Sequence, residues 1–351
     1  SCSSIHCSRV TARLILNPPA PHPRLFRDRD ADPSLLRGKT IAILGYGLLG
    51  QPLSLNLRDA VGTGANPATV IVGSDDKPSS ARARGDGFEV LPLVEAAARA
   101  DVALMLLPDE VQPEFMPAIG ARLRPGSALV FASGYALAYG LVTPPAGVDV
   151  LLFAPRMGGE AIRKRTVEGL GYMAYLGVER DATGKAREIV LALAAAGGCL
   201  KFGALEMTAK QEVVLDLFVE QAFGPWMGAA LLSAFHVGTE AGLPPLGLLM
   251  ELYLSGEMSE TFAQMARDGF LPSTLSHGFA ASFGGMTRAL SIDREQMGEQ
   301  MQGILGEIDS GAFAEALQDE YKNGYPCRPF LDKVVGDDDI ISRTERDFRA
   351  M

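Results

Sequence analysis

The chain has 351 residues, of which 47% are hydrophobic and 21% charged, and its formal net charge is −10. That length holds two domains with sizeable cores, and that composition is ordinary for a globular enzyme. The diffuse acidic excess excludes a general nucleic-acid role, which needs a basic face, and no stretch reaches the uninterrupted apolar length of a membrane span.

Residues 1–23 read as an extension outside the folded domains. Residues 1–27 contain no acid and several Arg and Ser, and Asn17 to Pro23 is Pro-rich, a composition that suits disorder. The stretch lacks the hydrophobic core of a secretory signal. The four cysteines, Cys2, Cys7, Cys199 and Cys327, show neither zinc spacing nor a framework pattern. Both features point to a reducing, cytoplasmic setting, with an organellar transit remnant as the alternative.

From Gly38 onward the pattern alternates. Strands are predicted at Thr40–Leu44, Thr69–Val72, Val102–Leu107, Ala128–Ala132 and Val148–Phe153, with helices such as Leu93–Ala100 and Phe115–Leu123 between them. Tyr172–Val178 and Gly184–Ala196 add one more strand and helix. Such alternation predicts an α/β Rossmann domain over residues 24–203, a parallel sheet with helices on both faces. After Phe202 strand candidates stop. Helical periodicity runs over 207–241, 246–268, 294–310 and 313–323, with Gly242-Leu243-Pro244-Pro245 as a break, so residues 204–351 read as an all-α domain.

The first strand feeds directly into Gly45-Tyr46-Gly47-Leu48-Leu49-Gly50, a G-x-G-x-x-G, and a helix-like segment follows. In that context Gly45 permits the tight turn, Gly47 lets backbone approach a pyrophosphate, and Gly50 allows close helix–strand packing. Free N–H groups at the helix start face the anion. Asp75 and Asp76 close the second strand, where an acid holds a ribose 2′-hydroxyl. Two acids there favour NADH, whereas Lys77, Ser79, Ser80 and Arg82 keep NADPH open. With Tyr46, Leu48 and Leu49 of the loop, the expected cofactor site takes in Ser74, Ser79, Leu107, Pro108 and Ser133 at the ends of the later strands.

In the helical half, Asp216 and Glu220 stand at i and i+4 among Leu215, Leu217, Phe218 and Val219. That spacing stacks both carboxylates on one helix face, where they repel unless a cation lies between them or one is protonated. Mg2+ suits such hard oxygen donors, and a solvated acidic face is the alternative. His236, Trp226 and the methionines Met250, Met258 and Met265 read as packing or surface residues.

Ordered blocks along the chain resemble the ketol-acid reductoisomerase family. They include Leu35-Leu36-Arg37-Gly38-Lys39-Thr40-Ile41, Leu107-Pro108-Asp109-Glu110-Val111-Gln112, Ala154-Pro155-Arg156, Asp216-Leu217-Phe218 with Glu220-Gln221, Glu240-Ala241-Gly242 and Gly311-Ala312-Phe313-Ala314. The resemblance covers all but the first two dozen residues. It implies a knotted helical domain, a homodimer or larger homo-oligomer, NAD(P)H, Mg2+ and an active site shared between subunits. The reaction it implies joins alkyl migration in a 2-hydroxy-3-oxo acid to hydride reduction. Asp216 and Glu220 match the family's first metal-binding pair, Glu251 one member of the second, and Ser276 the substrate-carboxylate serine.

Three sites depart from the family at four positions. Ser133-Gly134-Tyr135 replaces His-Gly-Phe, Arg156 replaces a lysine, and Ser255 stands where the second pair's other glutamate is expected. Arg keeps the charge but stays protonated, so it does not donate a proton. Arg156, Ser133 and Glu220 are therefore the catalytic candidates, Asp216, Glu220 and Glu251 the metal ligands, and Ser276 and Glu251 the substrate contacts. The expected activity is reduction of acetolactate or a related 2-oxo acid. The alternatives are a plain NAD(P)H reductase without isomerisation and a non-catalytic nucleotide-binding paralogue.

Overall fold

The computed structural model describes residues 22–274, 278–334 and 339–351. The chain divides into two compact units, Ser1–Val213 and Val214–Met351.

Among the described residues of the first unit, nine strands form one sheet in the order β1-β9-β8-β7-β6-β5-β2-β3-β4. They are β1 (Leu25–Phe26), β2 (Thr40–Leu44), β3 (Thr69–Gly73), β4 (Glu89–Leu91), β5 (Val102–Met105), β6 (Ala128–Phe131), β7 (Asp149–Pro155), β8 (Met173–Arg180) and β9 (Gly203–Glu206). The run from β4 to β7 is parallel throughout. Its helices are α1 (Gly50–Val61), α2 (Lys77–Gly85), α3 (Leu93–Arg99), α4 (Gln112–Gly120), α5 (Tyr135–Ala138), α6 (Gly159–Val167) and α7 (Ala186–Gly197).

The alternating pleat of a strand sends successive side chains to opposite faces, and β2 shows the result. Ile41 and Ile43 join one buried layer with Leu53 and Leu57 of α1 and Val190 and Leu193 of α7. Ala42 and Leu44 join the other, with Ala96 and Ala97 of α3 and Met116 and Ile119 of α4. The sheet is thus covered on both faces, as its near-continuous apolar strands require.

Two expectations need correction. The sheet is not wholly parallel, because β8 runs antiparallel to β7 and β1 antiparallel to β9. A parallel return needs a crossover over the sheet face. The intervening α6 instead packs along α1, from Gly159, where a Cβ would lie 1.7 Å from the Leu48 carbonyl oxygen, to Arg163, which donates to Asn56 Oδ1 at 2.8 Å. The chain re-enters beside the strand it left, with the Arg156 amide donating to the Met173 carbonyl at 2.9 Å. Nor do strands stop at Phe202: β9 pairs in parallel with β8, and the first compact unit runs on to Val213. β9, Gly203-Ala204-Leu205-Glu206, opens on a glycine and ends on a charge, so it lacks the continuous apolar run that marked the equally short β5 and β6.

The second unit is helical. It holds the end of α8 (Ala209–Phe218), a π-helical segment at Val219–Phe223, α9 (Gly224–Glu240) and α10 (Pro245–Leu249). A second π-helical segment, Met250–Leu254, precedes α11 (Glu257–Asp268). The continuous helices expected over 207–241 and 246–268 are therefore interrupted. Gly256, at φ 83, breaks the second outright, since only glycine enters that region cheaply. Further helices include α12 (Phe270–Ser273), α13 (Phe279–Ala289), α14 (Arg294–Ser310), α15 (Ala312–Lys322), α16 (Arg328–Val334) and α17 (Ile340–Ala350). Among the described residues, no helix is long and apolar enough to cross a membrane.

Candidate dinucleotide site and its reducing end

β2 lies between β3 and β5, so the chain leaves β2 to one side and reaches β5 on the other. Ligands of open α/β sheets lie at such a switch point, outside the carboxyl ends of the strands. Gly45 to Gly50 occupy it here. Gly45 sits at φ 106, and a Cβ on it would lie 2.8 Å from the Leu106 carbonyl oxygen. A Cβ on Gly50 would lie 2.2 Å from the Gly45 carbonyl oxygen, so this glycine lets α1 start hard against the loop. Gly47 differs: its Cβ would meet no atom within 4 Å and would enter open space beside the loop. That open approach suits a pyrophosphate.

The cleft, about 650 Å³ in volume, is lined at one end by Gly45, Tyr46, Gly47, Leu48, Leu49, Ser74, Asp75, Asp76 and Ser79. Leu107, Pro108, Asp109, Gln112 and Ser133 line the other. Gly50, absent from the lining, acts from behind the loop. At the first end Asp76 caps α2, accepting the Ser79 amide at 2.8 Å. Hydrogen bonds from the Ser79 side chain and amide hold its carboxyl below the usual range. Asp75 accepts the Leu93 amide at 3.2 Å. Tyr46 donates its hydroxyl to Asp86 at 2.7 Å, and Gln51 donates to the same oxygen at 2.8 Å, bracing the loop against α2's far end.

The other end carries a polar cluster. Gln112 donates Nε2 to the Leu107 carbonyl at 2.9 Å and to Asp109 Oδ1 at 3.1 Å. Its Oε1 is buried and finds no hydrogen-bond partner among the described residues, an acceptor left for an N–H or O–H in the cleft. Burial pushes the Asp109 carboxyl up to about 7. The charges of Glu212 and Glu110 push the same way, against hydrogen bonds from Ser133 and Gln112. Beside it, Arg156 Nη1 meets Glu212 Oε1 at 2.8 Å, and the Gly134 amide donates to Glu212 Oε2 at 2.6 Å. The Glu212 side chain is 1% exposed, and the Arg156 guanidinium lies 5.1 Å from the Tyr175 ring centroid. Gly134 is required by packing as well, since a Cβ there would lie 2.0 Å from the Ala209 carbonyl at the start of α8.

Residues 35–203 match the model of the acetohydroxy acid isomeroreductase NADPH-binding domain, and residues 209–351 that of the ketol-acid reductoisomerase C-terminal domain. The chain belongs to the ketol-acid reductoisomerase family. It is 38% identical over 332 residues to a ketol-acid reductoisomerase (NADP(+)) of Methanopyrus kandleri, covering 92% of this chain and 97% of that protein. A ketol-acid reductoisomerase (NAD(+)) from the uncultured archaeon GZfos26G2 is 34% identical over 304 residues, covering 86% and 91%. The solved structure of an NADH-preferring ketol-acid reductoisomerase from an uncultured archaeon superposes with a TM-score of 0.85 at 32% identity, covering 93% and 99%.

The carboxylates that the sequence offers as Mg2+ ligands lie in the helical unit. Asp216 lies in the last turn of α8 and Glu220 in the π-helical segment that follows it. Glu251 lies in the other π-helical segment, and both glutamates are exposed. Such widened turns recur at functional sites. Among the described residues of this single chain, no three His, Cys, Asp or Glu side chains converge on a metal-sized site. Ser255 closes the second π turn, its amide donating to the Met250 carbonyl at 3.3 Å. Ser276 and His277 lie outside the described residues.

Three residues of the cluster escaped sequence reasoning. Glu212 had a signal, since Glu212, Asp216 and Glu220 continue one i, i+4 stripe a turn towards the N-terminus. Asp109 and Gln112 stand inside a block that was noticed only for its resemblance. Nothing local marks them as partners of Ser133.

Proposed function

We propose that this chain is an NAD(P)H- and Mg2+-dependent oxidoreductase that reduces a 2-hydroxy-3-oxo or 2-oxo acid, acetolactate or a close relative. The observation that carries the reading is the cleft itself. A dinucleotide-shaped groove at the switch point ends in a charged cluster, within a chain that matches its family over both domains.

NADH is the favoured cofactor. A 2′-phosphate at the Asp75–Asp76 end meets two carboxylates, and Asp76 already holds the Ser79 amide at the start of α2. That amide is one that a phosphate bound at the helix start would use. Bound NADH supplies the hydride, and Mg2+ supplies a Lewis acid for the substrate oxygens. Gly47 keeps the approach to the loop open, and the orphan Oε1 of Gln112 accepts a hydrogen bond from whatever fills the reducing end. Arg156, fixed by Glu212 and by the face of Tyr175, places a permanent positive charge beside that end. Asp216 and Glu220 hold the metal, with Glu251 supplied by a second copy and Ser276 taking the substrate carboxylate.

A homodimer or larger assembly follows from that shared metal site. The helical unit exposes large apolar side chains that include Phe223, Val237, Phe262, Phe279 and Phe283. Phe279 and Phe283 stack at 6.0 Å, and exposed apolar clusters of this kind mark association surfaces.

The test is oxidation of NADH and of NADPH with racemic 2-acetolactate, with and without Mg2+. Magnesium-dependent turnover supports the reading with alkyl migration retained. Turnover on simple 2-oxo acids alone reduces it to a carbonyl reductase. Tight cofactor binding with no turnover on any of these acids overturns it.

A further inference from the structure

We infer that Glu345, on α17, is a positioning residue for Glu251: by holding the Tyr253 hydroxyl it fixes the π-helical turn that presents that carboxylate. This rests on the reading of Glu251 as a magnesium ligand above, whose carboxylate oxygens are donors that a hard cation takes.

A π turn needs an outside hold. Its hydrogen bonds close over five residues instead of four, and such turns are rare and occur singly, as conformations that their surroundings support. Met250-Glu251-Leu252-Tyr253-Leu254 contains no glycine or proline that would impose one. Backbone bonds close its far end, the Ser255 amide donating to the Met250 carbonyl at 3.3 Å and the Gly256 amide to the Tyr253 carbonyl at 3.2 Å. A further contact comes from 92 residues away: Tyr253 donates its hydroxyl to Glu345 Oε1 at 2.5 Å, in a half-buried place.

Glu345 is a prepared acceptor. It lies midway along α17, a helix capped by Asp339, whose carboxylate accepts the Ile341 amide at 2.8 Å and the Ser342 amide at 2.9 Å. Its other oxygen, Oε2, takes Arg349 Nη2 one turn on at 2.7 Å. The carboxylate is therefore held by its own helix before it meets Tyr253. α17 also packs on α10, the helix that runs directly into the π turn. One element thus grips both the approach to the turn and its centre.

The side chains of the turn then sort by face. Two residues along a helical segment rotate a side chain about half-way round, and four bring it back near its starting direction. With Tyr253 half-buried against α17, Glu251 and Ser255 are turned to the opposite side, and both are exposed. Relaxing to α geometry would remove the extra residue and rotate Glu251 relative to the helix that follows. Glu345 touches neither metal nor substrate in this arrangement; it acts through Tyr253 and the backbone.

Hydrogen exchange over residues 250–256 is the first test, because it needs neither metal nor turnover. Tyr253→Phe, which keeps the ring and loses only the hydroxyl, should speed exchange there about 5-fold, as should Glu345→Ala. Glu345→Gln keeps an acceptor and should restore most of the protection. Arg349→Ala removes an exposed ion pair of α17 and should leave the segment within about 2-fold of wild type. The second measurement is binding of Mn2+, in place of Mg2+, to the intact chain, read from the free-ion EPR signal. Tyr253→Phe should weaken it about 5-fold, and should do nothing further in Glu251→Gln, since the hydroxyl acts through that carboxylate. Unchanged exchange in Tyr253→Phe, or equal losses of Mn2+ affinity with and without Glu251, overturns the proposal while leaving the ligand reading of Glu251 intact. If the wild type binds no Mn2+, that reading falls, and the exchange rates alone decide whether Glu345 holds the turn.

Discussion

The sheet unit and the helical unit bury their apolar residues differently. Up to Val213, strands and flanking helices close two continuous buried layers, and few large apolar side chains, Leu48 and Val167 among them, reach solvent. Beyond it, the buried hydrophobic residues among the described ones are Ala222, Phe235, Leu249, Ile308 and Ala314, while Phe279 is 85% and Phe283 61% exposed. A sheet covered on both faces is complete within one chain. A helical layer with apolar side chains facing out is not, which fits the assembly proposed above. The first unit should therefore keep its fold and its cofactor cleft when the second is disturbed, whereas the second should depend on association.

Several substitutions would break or sharpen that contrast. The largest effect is expected inside the sheet unit. Arg156→Ala leaves the buried Glu212 carboxylate without its cation and should cost about 3–5 kcal/mol in urea unfolding. A loss below 1 kcal/mol would mean that the pair is not a fixed part of that core. Next comes Phe279→Glu combined with Phe283→Glu on α13, whose rings stack 6.0 Å apart. Two lost apolar anchors should weaken self-association by about 2 kcal/mol or more, read by analytical ultracentrifugation, with NADH affinity unchanged. Persisting dimers, or lost NADH binding, would collapse the distinction between the units.

The glycine loop supplies a paired comparison. Gly50→Ala drives a Cβ into the Gly45 carbonyl and should cost about 1–3 kcal/mol together with cofactor binding. A Cβ on Gly47 meets no protein atom within 4 Å, so the melting temperature of Gly47→Ala should stay near wild type while NADH binding weakens. Equal melting temperatures for the two variants would contradict the packing role of Gly50.

A smaller effect concerns pH. The folded Asp109 carboxyl is raised from 3.8 to about 7, so its neutral form is the stable one in the fold. Its contribution is complete below the unfolded value and is lost as pH rises through the folded one. The stability of Asp109→Asn relative to wild type should therefore increase from pH 4 to pH 8, as followed by denaturant midpoints. The smallest effect is expected in the helical unit. Asp293→Ala removes the cap that accepts the Glu295 and Gln296 amides of α14 and should cost about 1 kcal/mol.

Much of the sheet unit was legible because its signals are local. Thr40–Leu44 is apolar on both faces of the pleat, and Gly45 to Gly50 combine a forced positive φ with a crowded helix start. Arginine at 156 and serine at 133 stood out against the family pattern. Their partners did not, because Glu212 lies 56 residues from Arg156, and Asp109 owes its raised carboxyl to burial and to groups from other elements. Three short strands, the two edges β1 and β4 and the next-to-edge β9, were missed for a different reason. They have two, three and four residues, and only their pairing with neighbouring strands makes them strands. In the helical unit the 3.6-residue period located helices but not the π-helical turns at Val219–Phe223 and Met250–Leu254, where one residue is gained without a change in apolar pattern.

By itself, then, the amino-acid order determined the family, the α/β-then-α layout and the dinucleotide loop. Each of these rests on residue type and spacing over a few positions, where backbone sterics and pleat or helix period act directly. Only the tertiary structure decided that Glu212 is buried against Arg156, that burial pushes the Asp109 carboxyl up, and that the sheet turns antiparallel after β7. Those outcomes depend on desolvation and on contacts between residues far apart in the chain, which no local pattern encodes.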